Sequence, residues 1–106
     1  MSKFIMVVTS SAKEGRDDEY NDWYDNEHIH DICSIPGVIS GKRFEAVPVT
    51  PNEQPAKYLA IYEIEVDADN PGPVLGAMMQ KAEAGEMSVS DSLDSESAQI
   101  WMYKPH

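Results

Sequence analysis

The run Tyr20-Asn21-Asp22-Trp23-Tyr24-Asp25-Asn26-Glu27-His28-Ile29-His30-Asp31-Ile32 holds two of the three histidines and one of the two tryptophans, among several acids. No other stretch gathers so many groups able to move a proton or grip a ligand. His28 is the first candidate for chemistry, because an imidazole changes charge near neutral pH. Tyr24 and Ile32 lie one helical turn away, and Asp25 and Asp31 stand at i±3. A neighbouring carboxylate would fix the tautomer and favour the charged ring, which suits a general acid or base. The competing reading is a structural histidine that caps a break in a helix. Glu27 falls on the inward side of the helical wheel. It is either a buried proton acceptor or, as we prefer, the ion-pair partner of Arg43 or Lys42.

Other chemistries find less support. Glu27, His28, His30 and Asp31 could each bind a metal, but residues i and i+2 do not share a helical face. No second histidine cluster exists to help, so no metal is expected. Neither Ser nor Cys33 sits in a nucleophile motif, and no phosphate loop or dinucleotide fingerprint is present, so no cofactor is expected. Tyr20, Trp23, Tyr24, Tyr58, Tyr62, Trp101 and Tyr103 could wall a pocket for a planar or apolar ligand.

These groups need elements to position them. Asp17 is a plausible N-cap, with Asp18 and Glu19 at the positive end of the first turn. Tyr20, Trp23, Tyr24, Glu27 and His28 fall on one side of an ideal wheel; Ile29 and Cys33 fall on the other. A single straight helix cannot bury both sets. The spacing therefore predicts an interrupted helix over about 17–35, turning near His28 to His30 and stopped by Pro36-Gly37. Residues 3–10, 37–47 and 57–66 read as strands, and Pro48, Pro51 and Pro55 mark an extended loop between the last two. Val74, Leu75, Met78, Met79 and Ala82 have the period of an amphipathic helix. Residues 83–99, rich in serine and acid, read as a solvated loop or a flap over a pocket. A last strand spans 98–103.

The order is β-α-β-β-α-β, a ferredoxin-like α+β fold with a four-stranded antiparallel sheet and its helices on one face. The other face is also apolar, which calls for a second subunit. A chain of 106 residues fits one domain over 1–106, large enough for only a small core. With 8 basic and 19 acidic residues the net charge is −11, against nucleic acid or anionic membrane as partner. No run is long and apolar enough to span a bilayer, and the start leads straight into a strand, so a soluble cytoplasmic protein is expected. The lone Cys33 rules out an internal disulfide and reads as a buried small hydrophobe.

Three runs together, Glu19-Tyr20-Asn21-Asp22-Trp23-Tyr24-Asp25-Asn26-Glu27-His28-Ile29, Ile35-Pro36-Gly37-Val38 and Tyr58-Leu59-Ala60-Ile61-Tyr62-Glu63, resemble the EthD-like branch of the dimeric α+β-barrel superfamily. The resemblance implies a homodimer whose sheets close into a barrel, with a pocket between each sheet and its helices. Such proteins include cofactor-free isomerases of muconolactones, polyketide cyclases, quinone-forming monooxygenases, haem-degrading enzymes and members with no known activity, so fold alone decides little. The motif histidine is His28 here, and in several members it lines the pocket. His30 stands where many relatives carry Pro. The expected function is cofactor-independent acid/base chemistry of isomerase, cyclase or lyase type on a small apolar or aromatic metabolite. His28 would be catalytic, with Tyr20, Trp23, Tyr24, Glu27, Tyr62, Trp101 and Tyr103 binding substrate. The alternative is a non-catalytic binding or carrier protein of the same fold.

Overall fold

The computed structural model describes residues 1–53 and 56–106, so Pro55 of the expected loop lies outside the described residues. The elements are β1 (Ser2–Ala12), α1 (Asp17–Trp23), a π-helical turn (Tyr24–His28), α2 (Ile29–Cys33), β2 (Val38–Glu45), β3 (Tyr58–Val66), α3 (Gly72–Glu83) and β4 (Leu93–Tyr103). The strands form one antiparallel sheet in the order β2-β3-β1-β4, which is the ferredoxin-like arrangement.

Alternation along the strands decides what is buried. Phe4, Met6 and Ser10 of β1 pair with Ile64, Tyr62 and Tyr58 of β3, and all six are buried on the helix side. Tyr20, Trp23, Tyr24, Ile32, Ile35 and Val74 close the core from above. Gly41 lets β2 pass close to this core. A Cβ there would stand 2.8 Å from the Tyr62 ring and 3.1 Å from Cys33 Sγ. The opposite face carries Ile5, Val7, Leu59 and Ile61, with Phe44, Trp101 and Tyr103 about half exposed.

The helical interruption has a specific form. Tyr20, Tyr24, His28 and Ile32 are four residues apart. On an ideal helix such a row drifts by roughly 40° per step. One wider turn takes up that drift: the Ile29 amide bonds to the Tyr24 carbonyl, five residues back. Trp23, His28 and Ile29 all keep right-handed helical dihedrals. The interruption thus comes earlier than 28–30 and as a π-turn inside one helical path. Arg16, with no side-chain cap bond, precedes the first turn. Asp17 is not the cap: its carboxylate accepts hydrogen bonds from Tyr58 Oη at 2.6 Å and Lys57 Nζ at 2.9 Å. Both bonds hold its pKa below the usual carboxylate value. The helix ends at Pro36 and Gly37, whose φ of +97° suits glycine.

The last strand begins five residues earlier than its composition suggests. Leu93 and Asp94 already pair with Ala12 and Ser11, and the register then shifts before Thr9 meets Gln99. Serine stands in for the missing ladder there. Ser97 Oγ accepts the Ser11 amide at 2.8 Å and donates to the Asp94 carbonyl at 2.6 Å. An edge strand with such a bulge can be polar on most of its length. Only residues 84–92 of the expected loop lie outside helix and strand.

Candidate functional site

A cavity of about 230 Å³ lies between the helical segment, α3 and the β1–β4 half of the sheet. Val8, Ser10, Leu93, Ala98 and Ile100 form its floor, and Met78, Met79 and Ala82 of α3 with Met87 form one wall. Trp23, Tyr24, His28 and Ile32 form the other wall. Other hollows are larger, but the one between Phe4, Ile39 and Pro105 mixes Lys3 with Glu63 and Glu65. Among the described hollows, the 230 Å³ cavity alone joins a histidine to an apolar lining.

The π-turn puts His28 there. Its ring stacks on Trp23 at 4.5 Å between centroids and meets the edge of Tyr24 at 4.8 Å. Nδ1 is shut away from solvent without a hydrogen-bond partner. Burial pushes the imidazole pKa down to about 4, against a smaller upward pull from Asp31 and a downward push from Arg43. The ring is therefore neutral at pH 7. The sequence had suggested a carboxylate that would charge it. Asp31 instead spends its Oδ2 on the Ser88 amide, 2.8 Å away, and Asp25 pairs with Arg43 at 2.7 Å.

Behind this wall the tyrosines are bonded to one another. Tyr24 Oη and Tyr62 Oη are 3.0 Å apart. Burial raises both pKa values, that of Tyr24 to about 12. Tyr20 is fully buried and bonded to Ser10 Oγ at 2.5 Å. The Arg43 guanidinium lies 4.4 Å over the Tyr24 ring and donates to Asp25 and Asn21.

Of the residues expected to bind substrate, Trp23 and Tyr24 line this cavity together with His28. Tyr20 and Tyr62 do not: both are sealed in the core behind it. Trp101 and Tyr103 pair with Val7 and Ile5 on the opposite face of the sheet. Glu27 faces outward, because the wider turn rotates it off the inward row. It accepts from Ser88 Oγ at 3.1 Å, and Arg43 pairs with Asp25 instead. His30 is exposed. Sequence reasoning missed Ser88. Its hydroxyl takes the Trp23 indole N–H at 3.2 Å while its amide holds Asp31. This one serine ties residues 23, 27 and 31 of the helical path to the loop before β4. No signal in a serine-rich stretch singles it out. No group of three or more metal-ligating side chains occurs among the described residues.

No protein-family model matches the chain. No curated protein matches it either. Solved structures do. A candidate monooxygenase from Shewanella loihica PV-4 has a TM-score of 0.66 at 11% identity, covering 100% of this chain and 97% of its own. The heme-degrader MhuD from Mycobacterium tuberculosis, with two hemes bound in its active site, has a TM-score of 0.65 at 12% identity, covering 96% and 94%. An ethyl tert-butyl ether degradation (EthD) family protein from Bacillus halodurans has a TM-score of 0.55 at 12% identity and full coverage of both chains. At these identities the likeness is one of fold. The cavity of about 230 Å³ is smaller than the 300–1,000 Å³ usual for sites taking drug-sized ligands. The chain thus has the α+β fold of the EthD-like proteins that its sequence resembles.

Proposed function

We propose that this protein carries out cofactor-independent acid/base chemistry on a small apolar or aromatic metabolite, with His28 as the proton-transfer group. One observation carries the reading: a neutral imidazole lines an apolar cavity between two aromatic rings. In that state the ring accepts a proton from an activated C–H or O–H. Its low pKa makes it a weak base while the cavity is empty. A negative charge developing on the substrate beside it raises the imidazole's basicity, because an opposite charge at contact favours the charged ring. Isomerisation, cyclisation and elimination all begin with such a transfer. The size of the cavity favours a molecule of one or two rings. Trp23 and Tyr24 supply flat walls for it.

The alternative is a carrier of such molecules. The observation in its favour is that, among the described residues lining the cavity, Tyr24 is the one titratable group besides His28, and its hydroxyl is 3.0 Å from Tyr62 Oη. We infer also that the protein is a homodimer, with the apolar face around Val7, Ile61 and Trp101 as its interface.

Solvent-deuterium exchange separates enzyme from carrier. Small cyclic ketones and unsaturated lactones are incubated with the protein in deuterium oxide, and NMR follows deuterium entering next to the carbonyl. The wild type should accelerate exchange in at least one. His28→Gln, which keeps bulk and polarity but cannot titrate, should cut the rate by roughly two to four orders of magnitude. Binding without acceleration would favour the carrier.

A further inference from the structure

We infer that the cavity selects uncharged ligands, and that Glu27 and Asp31 help to exclude anions of the same size and shape. This deepens the reading of the cavity as a ligand site and rests on it.

Three features of the lining carry the inference. First, among the described residues lining the cavity there is no lysine or arginine to pair with a carboxylate or phosphate. Arg43, behind the wall, stacks on the Tyr24 ring and is bonded to Asp25 and Asn21. Second, the lining's polar groups are largely used internally. The Trp23 N–H goes to Ser88, the Tyr24 hydroxyl to Tyr62, and the Ser10 hydroxyl to Tyr20. None of these groups is a cation, and the His28 nitrogen without a partner, Nδ1, is itself shut away from solvent. Third, two carboxylates stand on the helical wall of the cavity, outside its lining. Ser88, beside the wall residue Met87, donates to Glu27 Oε1 at 3.1 Å and through its amide to Asp31 Oδ2 at 2.8 Å. Ser88 also accepts from Trp23, so Glu27 stands two hydrogen bonds from a ring that lines the cavity. With a net charge of −11, the wider field has the same sign.

An anion entering here loses its water, finds no counter-ion and meets two negative charges. An uncharged phenol, enol or alcohol of the same outline gives up far less on leaving water. The difference is a matter of specificity, achieved by what the site withholds as much as by what it offers.

The test compares 2-naphthol, 2-naphthoate and naphthalene near neutral pH by titration calorimetry, with the His28 ring signals followed by NMR to locate the guest. 2-Naphthol should bind and shift the His28 signals. 2-Naphthoate should bind roughly a hundredfold more weakly or worse, as expected for an unpaired desolvated charge. Naphthalene, also uncharged, should likewise bind more tightly than 2-naphthoate. The double variant Glu27→Gln with Asp31→Asn keeps acceptors for Ser88 but removes both charges. It should narrow the gap between 2-naphthol and 2-naphthoate. Equal affinity for 2-naphthol and 2-naphthoate overturns the charge selection. A gap that survives the double variant intact overturns the role given to the two carboxylates. If none of the three compounds binds or moves His28, the ligand-site reading itself fails.

Discussion

The two faces of the sheet are built from similar residues and meet different fates. On the helix side, Met6 and Tyr62 are 0% exposed, and Phe4, Ala60 and Ile64 are buried with them. On the other side, Phe44, Tyr103 and Trp101 are 47%, 54% and 56% exposed, beside Val7 and Ile61. Both faces are apolar, but only one is covered within the chain. The covered face is itself uneven. Aromatic rings fill it over β3, whereas over β1 and β4 it is roofed by α3, which fully buries only Val74. The cavity lies under that thin roof. One face thus calls for a partner, and the other contains the room for a ligand.

The largest expected effect comes from charging the open face. Ile61 lies at its centre, paired with Val7 and Lys42. Light scattering should give the wild type about twice the chain mass of 11.8 kDa, and Ile61→Glu should give a monomer. A wild-type monomer at micromolar concentration would break the comparison, since the open face would then need no cover. The next effect belongs to the covered face. Met6→Ala removes a fully buried side chain and should cost about 2–5 kcal/mol in chemical denaturation. A cost under about 1 kcal/mol would mean that this face is not packed as described. A smaller effect is expected at Gly41. Its substitution by Ala places a methyl 2.8 Å from the Tyr62 ring. Overpacking of this kind should cost about 1–3 kcal/mol and disturb the Tyr24–Tyr62 hydrogen bond. A neutral Gly41→Ala would show that β2 yields easily.

Much of this fold was legible in the sequence because period and punctuation report on burial. Tyr58, Ala60, Tyr62 and Ile64 alternate in β3, and Val74 to Ala82 repeat at the helical period. Pro36-Gly37 stops the helix. What stayed hidden depended on geometry that an ideal wheel lacks. The wheel was drawn at 3.6 residues per turn. The split between Tyr20, Trp23, Tyr24, Glu27 and His28 on one side and Ile29 and Cys33 on the other therefore pointed to a break near 28–30, and Glu27 pointed inward. The π-turn moves the break to 24–28 and leaves Glu27 exposed. Leu93 to Ser97 hid their strand because the Ser97 side chain completes the ladder in place of backbone. The alternation also failed to say which aromatic residues share a space. Tyr62 and Trp101 are both good wall residues by type, yet one is sealed in the core and the other lies on the far face. His28 was singled out by its chemistry, but burial favours its neutral form over the charged one expected. A sequence shows the carboxylates at i±3; it does not show that Asp25 and Asp31 are occupied by Arg43 and Ser88.

That protonation state is where the account is most exposed. Burial lowers the His28 pKa to about 4 from its ordinary 6.5. The folded protein then binds fewer protons than the unfolded chain between those values. The neutral ring's contribution is complete above about pH 6.5 and is lost as pH falls through about 4, a loss of roughly 3 kcal/mol. His28→Gln should remove that part of the acid sensitivity. The direct measurement is an NMR titration of the histidine ring nitrogens, with His28 assigned by its absence in His28→Gln. A midpoint near 4, in a protein still folded, is the result expected of a desolvated imidazole between Trp23 and Tyr24. A midpoint at or above 6.5 would mean a hydrated or carboxylate-paired ring, and the neutral proton acceptor described here would not exist.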